Sequence, residues 1–288
     1  MKTILITGAT GYLGSHLVKE LLQKKYHVIA VKGRPEDKAN MLPDDKLLEI
    51  IPCDELFFRS FKHIDTLIHT AFTRGDNLLG LASSIDFTRK VIELVNSQDI
   101  SSLINISSQG IYAGLQPGKS VDESGEIGPN TAYGLAKWGV ENMIALGCKK
   151  KYTNIRMASL SANARFLRFF VDSVIKGKDI TVTSPHQYAS IMDVKDAVNG
   201  ILSIADIAED KRETVYNLGP GVQHSILEYA LKANEIGMSI GYPPIKISIE
   251  DSGTHFAILM NCNKLQEATE WEPTITADKM LLLLFSKF

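Results

Sequence analysis

The sequence predicts an α/β fold, a doubly wound parallel sheet with a smaller, interleaved lobe. Three observations predict it. Short apolar, β-branched runs alternate with amphipathic stretches through the first half of the chain. A glycine-spaced turn follows the first of those runs. Residues able to do chemistry fall just past the ends of several runs, where open α/β sheets bind their ligands.

The runs Thr3–Thr7, His27–Lys32, Leu47–Ile51, Thr66–His69, Ser102–Ser107 and Tyr152–Arg156 read as strands buried on both faces. Between them Tyr12–Lys24, Leu79–Asn96 and Thr131–Lys149 read as helices. In the last, Val140, Met143, Ile144 and Gly147 recur at helical spacing. Further on, Arg165–Lys176, Asp193–Ala205 and Ser225–Ile236 read as helices and Thr214–Leu218 as a strand. Gly219-Pro220-Gly221 and Tyr242-Pro243-Pro244 are turn signals. No linker separates the halves. The division expected is a nucleotide-binding domain over residues 1–160, to which 188–220 return, and a small substrate lobe from 161–187 and 221–288.

Composition narrows the function. The 288 residues carry 31 Lys+Arg against 33 Asp+Glu, a net charge of −2, with 44% hydrophobic and 22% charged residues. That is globular usage, not disorder or a disulfide scaffold. The near-neutral balance argues against nucleic-acid binding. Cys53, Cys148 and Cys262 form no CxxC pair or Cys/His cluster, so no metal site is expected and a reducing compartment is. No apolar run has the ~18 residues of a membrane span. The apolar stretch after Met1 ends in a glycine turn, unlike a signal peptide. The expectation is a cytoplasmic protein with a small-molecule substrate and no membrane partner.

The turn Gly8-Ala9-Thr10-Gly11-Tyr12-Leu13-Gly14 joins the first strand to the first helix. Gly8 permits the sharp turn, Gly11 lets a pyrophosphate approach the backbone, and Gly14 lets helix pack on strand. Thr10, Tyr12 and Leu13 complete this Rossmann-type cradle. Cofactor choice is set at the end of the second strand, where an acid binds the NAD ribose and a base accepts the NADP 2′-phosphate. Lys32 stands there with Arg34 close behind, which favours NADP(H). NAD(H) remains possible through Glu36 or Asp37.

Tyr133 and Lys137 lie four residues apart and share a helix face. Free tyrosine titrates near ~10; bringing it down by ~3 units takes ~4 kcal/mol of differential stabilisation. A neighbouring ammonium and a nicotinamide cation are expected to supply it. Ser107-Ser108-Gln109-Gly110-Ile111-Tyr112 follows the fifth strand, and a serine hydroxyl there can hold a substrate oxygen.

These motifs resemble the extended short-chain dehydrogenase/reductases, specifically the NAD-dependent epimerase/dehydratase family that modifies nucleotide sugars. Thr7 to Gly14, Asp65 to Ala71, Ile106 to Tyr112 and Tyr133 to Lys137 carry the resemblance; Ile191 to Asp196 and Val215 to Gly219 echo it. It implies Tyr133 as acid/base, Lys137 holding the nicotinamide ribose, and Ser108 as the substrate-binding hydroxyl, with Ser107 as alternative. Asp54 would contact adenine, and Thr70, Ala71 and Phe72 would line the cleft. His69 would be packing. The family's pairing of two helices per subunit implies a homodimer through a four-helix bundle, built from Leu79–Asn96 and Thr131–Lys149.

The chain also departs from the family. Arg156-Met157-Ala158 replaces an Arg-Pro pair and the later Val-Tyr-Gly-Pro stretch is missing. Asp86 stands for the usual helix asparagine. Gln109 follows Ser108 where a dehydratase has an Asp-Glu pair, which argues against dehydration. Arg165, Arg168, Lys176 and Lys178 are either diphosphate contacts or a solvated face. The implied activity is reversible hydride transfer at a carbinol or ketone carbon of a nucleotide sugar. The alternatives are an NADPH-dependent reductase of a non-nucleotide ketone or aldehyde, and a non-catalytic NADP-sensing protein.

Overall fold

The computed structural model describes residues 1–33, 42–75, 77–114, 120–253 and 258–286. Its elements run β1 (Thr3–Thr7), α1 (Tyr12–Gln23), β2 (His27–Lys32), β3 (Leu48–Pro52), β4 (Ile64–His69), α2 (Leu78–Ser97), β5 (Ile100–Ile106), β6 (Ser120–Val121), α3 (Ala132–Gly147) and β7 (Lys151–Met157). Then come β8 (Ser159–Leu160), α4 (Arg165–Ile175), β9 (Ile180–Val182), β10 (Tyr188–Ala189), β11 (Ile191–Met192), α5 (Val194–Asp206) and β12 (Val215–Leu218). The chain continues through β13 (His224–Ser225), α6 (Ile226–Ser239), β14 (Ile247–Ile249), β15 (Leu259–Met260), α7 (Asn263–Thr269) and α8 (Ala277–Phe285).

Seven strands form one sheet in the order β12-β7-β5-β4-β1-β2-β3, and the pairings from β3 through β7 are parallel. The strand order reverses between β1 and β4, the point at which a doubly wound sheet opens a crevice beyond its C-terminal ends. Strands buried on both faces must be apolar throughout, and β1 and β2 are: Ile4, Leu5, Ile6, Val28, Ala30 and Val31 are at most 2% exposed.

The chain forms two compact units. The first comprises Met1–Ile111, Pro129–Arg156 and Val198–Tyr216. On one side of its sheet Leu5, Val31, Leu67 and Leu103 pack against Val91 and Val95 of α2 and Val140 and Ile144 of α3. The side chains of Asn77 and Thr131 cap α2 and α3 by accepting from the backbone N–H of Gly80 and Gly134.

The second unit comprises Tyr112–Gly128, Met157–Ala197 and Asn217–Phe288. Its core is helical, with Leu167, Phe170 and Val174 of α4 against Tyr229 and Ala233 of α6 and Leu281 and Phe285 of α8. A capping box, in which Ser225 and Glu228 exchange hydrogen bonds, starts α6. Asp196, 2% exposed, accepts from the Thr274 N–H at 3.0 Å, the Thr274 hydroxyl at 2.9 Å and the Ile275 N–H at 2.8 Å. Asn217 donates to the carbonyls of Val121 and Asn261, both at 3.0 Å, and accepts from the Tyr112 hydroxyl at 3.0 Å. Among the described residues no helix is long and apolar enough to cross a membrane.

Candidate active site

The site lies in the first unit, and the glycine turn is its floor. Gly8 sits at φ +71°, and a side chain there would meet the Ala71 backbone nitrogen and Thr70 Oγ1 at 2.8 Å. Any Cβ on Gly14 would lie 2.2 Å from the Gly8 carbonyl oxygen, so α1 can start this close to β1 only with glycine there. Gly11 is the N-cap of α1 and, having no side chain, makes no cap hydrogen bond to the first turn. Thr70 Oγ1 donates to the Thr7 carbonyl at 2.7 Å and reaches that of Gly8 at 3.3 Å, tying the end of β4 to the turn. Thr10, Leu13, Ala71 and Phe72 are half-buried around it, and Tyr12 is exposed at its edge. Lys32 ends β2, paired with Pro52 of β3, and Asp54 is exposed just past β3. Arg34, Glu36 and Asp37 lie outside the described residues.

Ser108, Tyr133 and Lys137 come together beyond β5. Gly134 makes this possible: a Cβ on it would stand 2.5 Å from the Gly110 carbonyl oxygen, so the start of α3 presses directly on the turn after β5. Tyr133 is thereby hydrogen-bonded to the Ser108 side chain. The Gly110 N–H donates to Ser108 Oγ at 3.0 Å, occupying an acceptor site and leaving the hydroxyl proton to point at the phenol. Ser107, the alternative, faces away; it is 3% exposed and its hydroxyl donates to Glu141.

Lys137 is 4% exposed. Its Nζ donates to the Ile106 carbonyl at 2.8 Å, stands 3.8 Å from the Phe72 ring centroid and 5.9 Å from that of Tyr133. Burial pushes this ammonium down to about 7, while the Glu141 carboxylate supports its charge. Tyr133 corrects an expectation. Its phenol is raised, not lowered: burial dominates, with the Ser108 hydrogen bond and Arg74 pulling the other way. The lysine bonds the strand carbonyl and the Phe72 face instead of the phenol, so in the free chain it is no counter-ion to tyrosinate.

His69 is 2% exposed and pushed down to about 3, first by burial and then by the Lys137 charge. Thr88 Oγ1 donates to the Ser84 carbonyl and lies 3.0 Å from His69 Nε2, while Thr7 Oγ1 lies 2.7 Å from Nδ1. The imidazole is therefore neutral, donating from Nε2 and accepting at Nδ1.

Asp86 does not reach the site. It sits on the exposed face of α2, paired with Arg89 at 3.0 Å and Lys90 at 3.1 Å, which hold its carboxyl below the usual carboxylate range. Arg165 and Arg168 are exposed residues of the second unit. Glu141 and Gly134 escaped the sequence reading. A carboxylate in an apolar-periodic helix reads as a solvated position, and the signal for Gly134 was its place after Tyr133.

The sequence matches the model of the NAD dependent epimerase/dehydratase family over residues 4–219, and the chain belongs to that family. It is of the extended short-chain dehydrogenase/reductase type, whose cofactor is a nicotinamide nucleotide. A UDP-glucose 4-epimerase from Halalkalibacterium halodurans is 24% identical over 94% of this chain and 90% of its own. The structure is similar to that of a Tyr-to-Phe mutant of UDP-glucuronic acid 4-epimerase from Bacillus cereus, complexed with UDP-4-deoxy-4-fluoro-glucuronic acid and NAD. Their TM-score is 0.83, at 19% identity, over 99% and 98% of the two chains. UDP-glucose 4-epimerase from Thermotoga maritima, solved with UDP-glucose, gives a TM-score of 0.81 at 20% identity over 99% and 97%.

Proposed function

We propose that the chain oxidises and re-reduces a carbinol carbon of a nucleotide sugar, as a 4-epimerase acting on UDP-sugars. The grouping of Ser108 and Tyr133 over Lys137, at the C-terminal edge of the parallel sheet, carries this reading. The glycine turn fits a dinucleotide, because a Cβ would fill the space at Gly8 and Gly14 and α1 begins uncapped. When bound, the nicotinamide supplies the hydride acceptor and donor. The Tyr133 oxygen takes the proton of the substrate hydroxyl and later returns it. Ser108 donates to the substrate oxygen as it becomes a carbonyl. Lys137 holds the nicotinamide ribose, and its ammonium, retained in the loaded site, lowers the cost of a tyrosinate beside it.

The UDP-sugar epimerases among the relatives support the substrate class. Lys32 supports NADP(H), whereas the Bacillus cereus enzyme named above is complexed with NAD. Arg34 would add to that preference, and Asp54 would contact the adenine. A homodimer through α2 and α3 belongs to the same reading, as does a substrate lobe from 161–187 and 221–288. Light scattering tests the dimer; a monomer rejects it.

Incubation with UDP-glucose or UDP-glucuronic acid and either cofactor, followed by proton NMR of the sugar, should show inversion at C4. Lys32 also favours a second reading, an NADPH-dependent reductase. NADPH oxidation by simple ketones, with every UDP-sugar left unchanged, would replace the first reading with the second. Lys32→Ala should weaken NADPH more than NADH, and equal losses would reject the 2′-phosphate role.

A further inference from the structure

Behind Lys137 the same helix carries a buried ion pair that the proposed chemistry leaves unused. Glu141 follows Lys137 by one turn and is 3% exposed; Arg156 on β7 is 4% exposed. Arg156 donates to Glu141 Oε2 from Nη2 at 2.9 Å and from Nε at 3.1 Å, and its guanidinium lies 5.8 Å from the Trp138 ring. The Ser107 hydroxyl donates to Glu141 Oε1. The Ser107 N–H donates to the Ile155 carbonyl at 2.7 Å, one residue from Arg156.

Ser107 sits between two residues of the site. On one side is Ile106, whose carbonyl receives Lys137 Nζ; on the other is Ser108, bonded to Tyr133. Stability alone does not call for this arrangement, since well-packed apolar residues generally serve as well as a buried ion pair. We infer that Glu141 is a positioning residue: by clamping Ser107 to Arg156 it fixes the strand end from which the Ile106 carbonyl and the Ser108 hydroxyl reach Lys137 and Tyr133. This rests on the roles given to Lys137 and Tyr133 above. Its second effect is electrostatic. Lys137 has Tyr133 and Glu141 on its own helix and His69 facing it from β4, while Arg156 stands on β7 and Arg74, past β4, faces Tyr133. Of these groups Glu141 is the anion that supports the ammonium.

The test compares Glu141→Gln, Glu141→Asp and Ser107→Ala with the parent chain. Lys137 is titrated from about pH 5 to 11 by competitive acetylation with acetic anhydride, read by peptide mass spectrometry. UDP-glucose is the probe substrate. Glu141→Gln should bind the nicotinamide nucleotide as before, move the Lys137 midpoint down by about a unit, and shift the alkaline limb of kcat with it. Its kcat should fall about 10- to 100-fold with little change in KM. Glu141→Asp should restore the midpoint. Ser107→Ala should lower kcat and leave the midpoint in place. A folded Glu141→Gln with unchanged midpoint and kcat overturns the inference. Should that variant not fold, Ser107→Ala decides, and an undiminished kcat is the overturning result. If the parent chain leaves UDP-glucose untouched, the substrate proposal fails on its own, and the Lys137 titration still decides the role of Glu141.

Discussion

Two buried titratable side chains of the first unit lie close enough to affect each other, and burial lowers both, yet they end in different pH ranges. His69 at the end of β4 has both ring nitrogens satisfied by threonine hydroxyls, and burial, aided by the Lys137 charge, pushes it down to about 3. Lys137 on α3 is as deeply enclosed, with a carboxylate one turn away, and burial pushes it from 10.5 down to about 7. Burial disfavours the charged form of both, and the lysine ends within reach of neutral pH because it starts from 10.5 rather than 6.5, with Glu141 supporting its charge. A residue proposed as packing and one proposed to work thus share one environment and differ in where their titration falls.

The strongest challenge to this contrast is Tyr133→Phe. Turnover should fall about 10²- to 10⁴-fold while nicotinamide-nucleotide binding, followed by fluorescence, is retained. Residual turnover within a few-fold of the parent would remove Tyr133 from the chemistry. Gly134→Ala comes next, because its Cβ must displace the Gly110 carbonyl oxygen 2.5 Å away. About a 10²-fold loss of kcat is expected, with a modest fall in Tm; a normal kcat would mean that the approach of α3 to the turn does not set the site.

The pH dependence of stability sharpens the same contrast. His69 takes up a proton near 6.5 when unfolded but only near 3 when folded, so the unfolded state binds more protons between those values. Its contribution is complete above about 6.5 and is lost as pH falls toward 3, on the order of 5 kcal/mol. Lys137 follows the same sign in a higher window: depressed from 10.5 to about 7, it makes stability rise with pH across that interval. Urea unfolding at several pH values should show both slopes. His69→Asn should flatten the acid slope and change kcat by no more than a few-fold; a collapse in kcat would break the distinction between the two residues. Smallest of all is Asp86→Ala. Its exposed pairs with Arg89 and Lys90 are solvent-screened, so neither Tm nor kcat should move measurably.

The sheet was legible because its strands are continuous apolar runs: β1 and β2 begin and end at the residues read from periodicity, and no end of α1, α2 or α3 differs from it by more than two residues. Ser108, Tyr133 and Lys137 were legible because a strand end and a helix face impose their own geometry. The short elements were not. Strands of two or three residues such as β8, β11 and β15 carry no period, and α7 is barely two turns. The raised phenol of Tyr133 was also hidden, since it depends first on how deeply the ring is enclosed, which helical spacing does not reveal. Asp86 illustrates the converse: a position matched to the family's helix asparagine says nothing of which way it faces, and here it faces solvent beside Arg89 and Lys90.

The three hydrogen bonds of Asp196 bear on how the chain matures. They join α5 to a segment almost eighty residues later, and closing so long a loop is slow and entropically costly. During synthesis the carboxylate stays hydrated until Thr274 and Ile275 have left the ribosome. The first unit has all its segments by Tyr216 and can assemble while translation continues. The second must wait for the 274–275 segment, so a nascent chain should pass through a stage in which the first unit is formed and the second is still a target for chaperones.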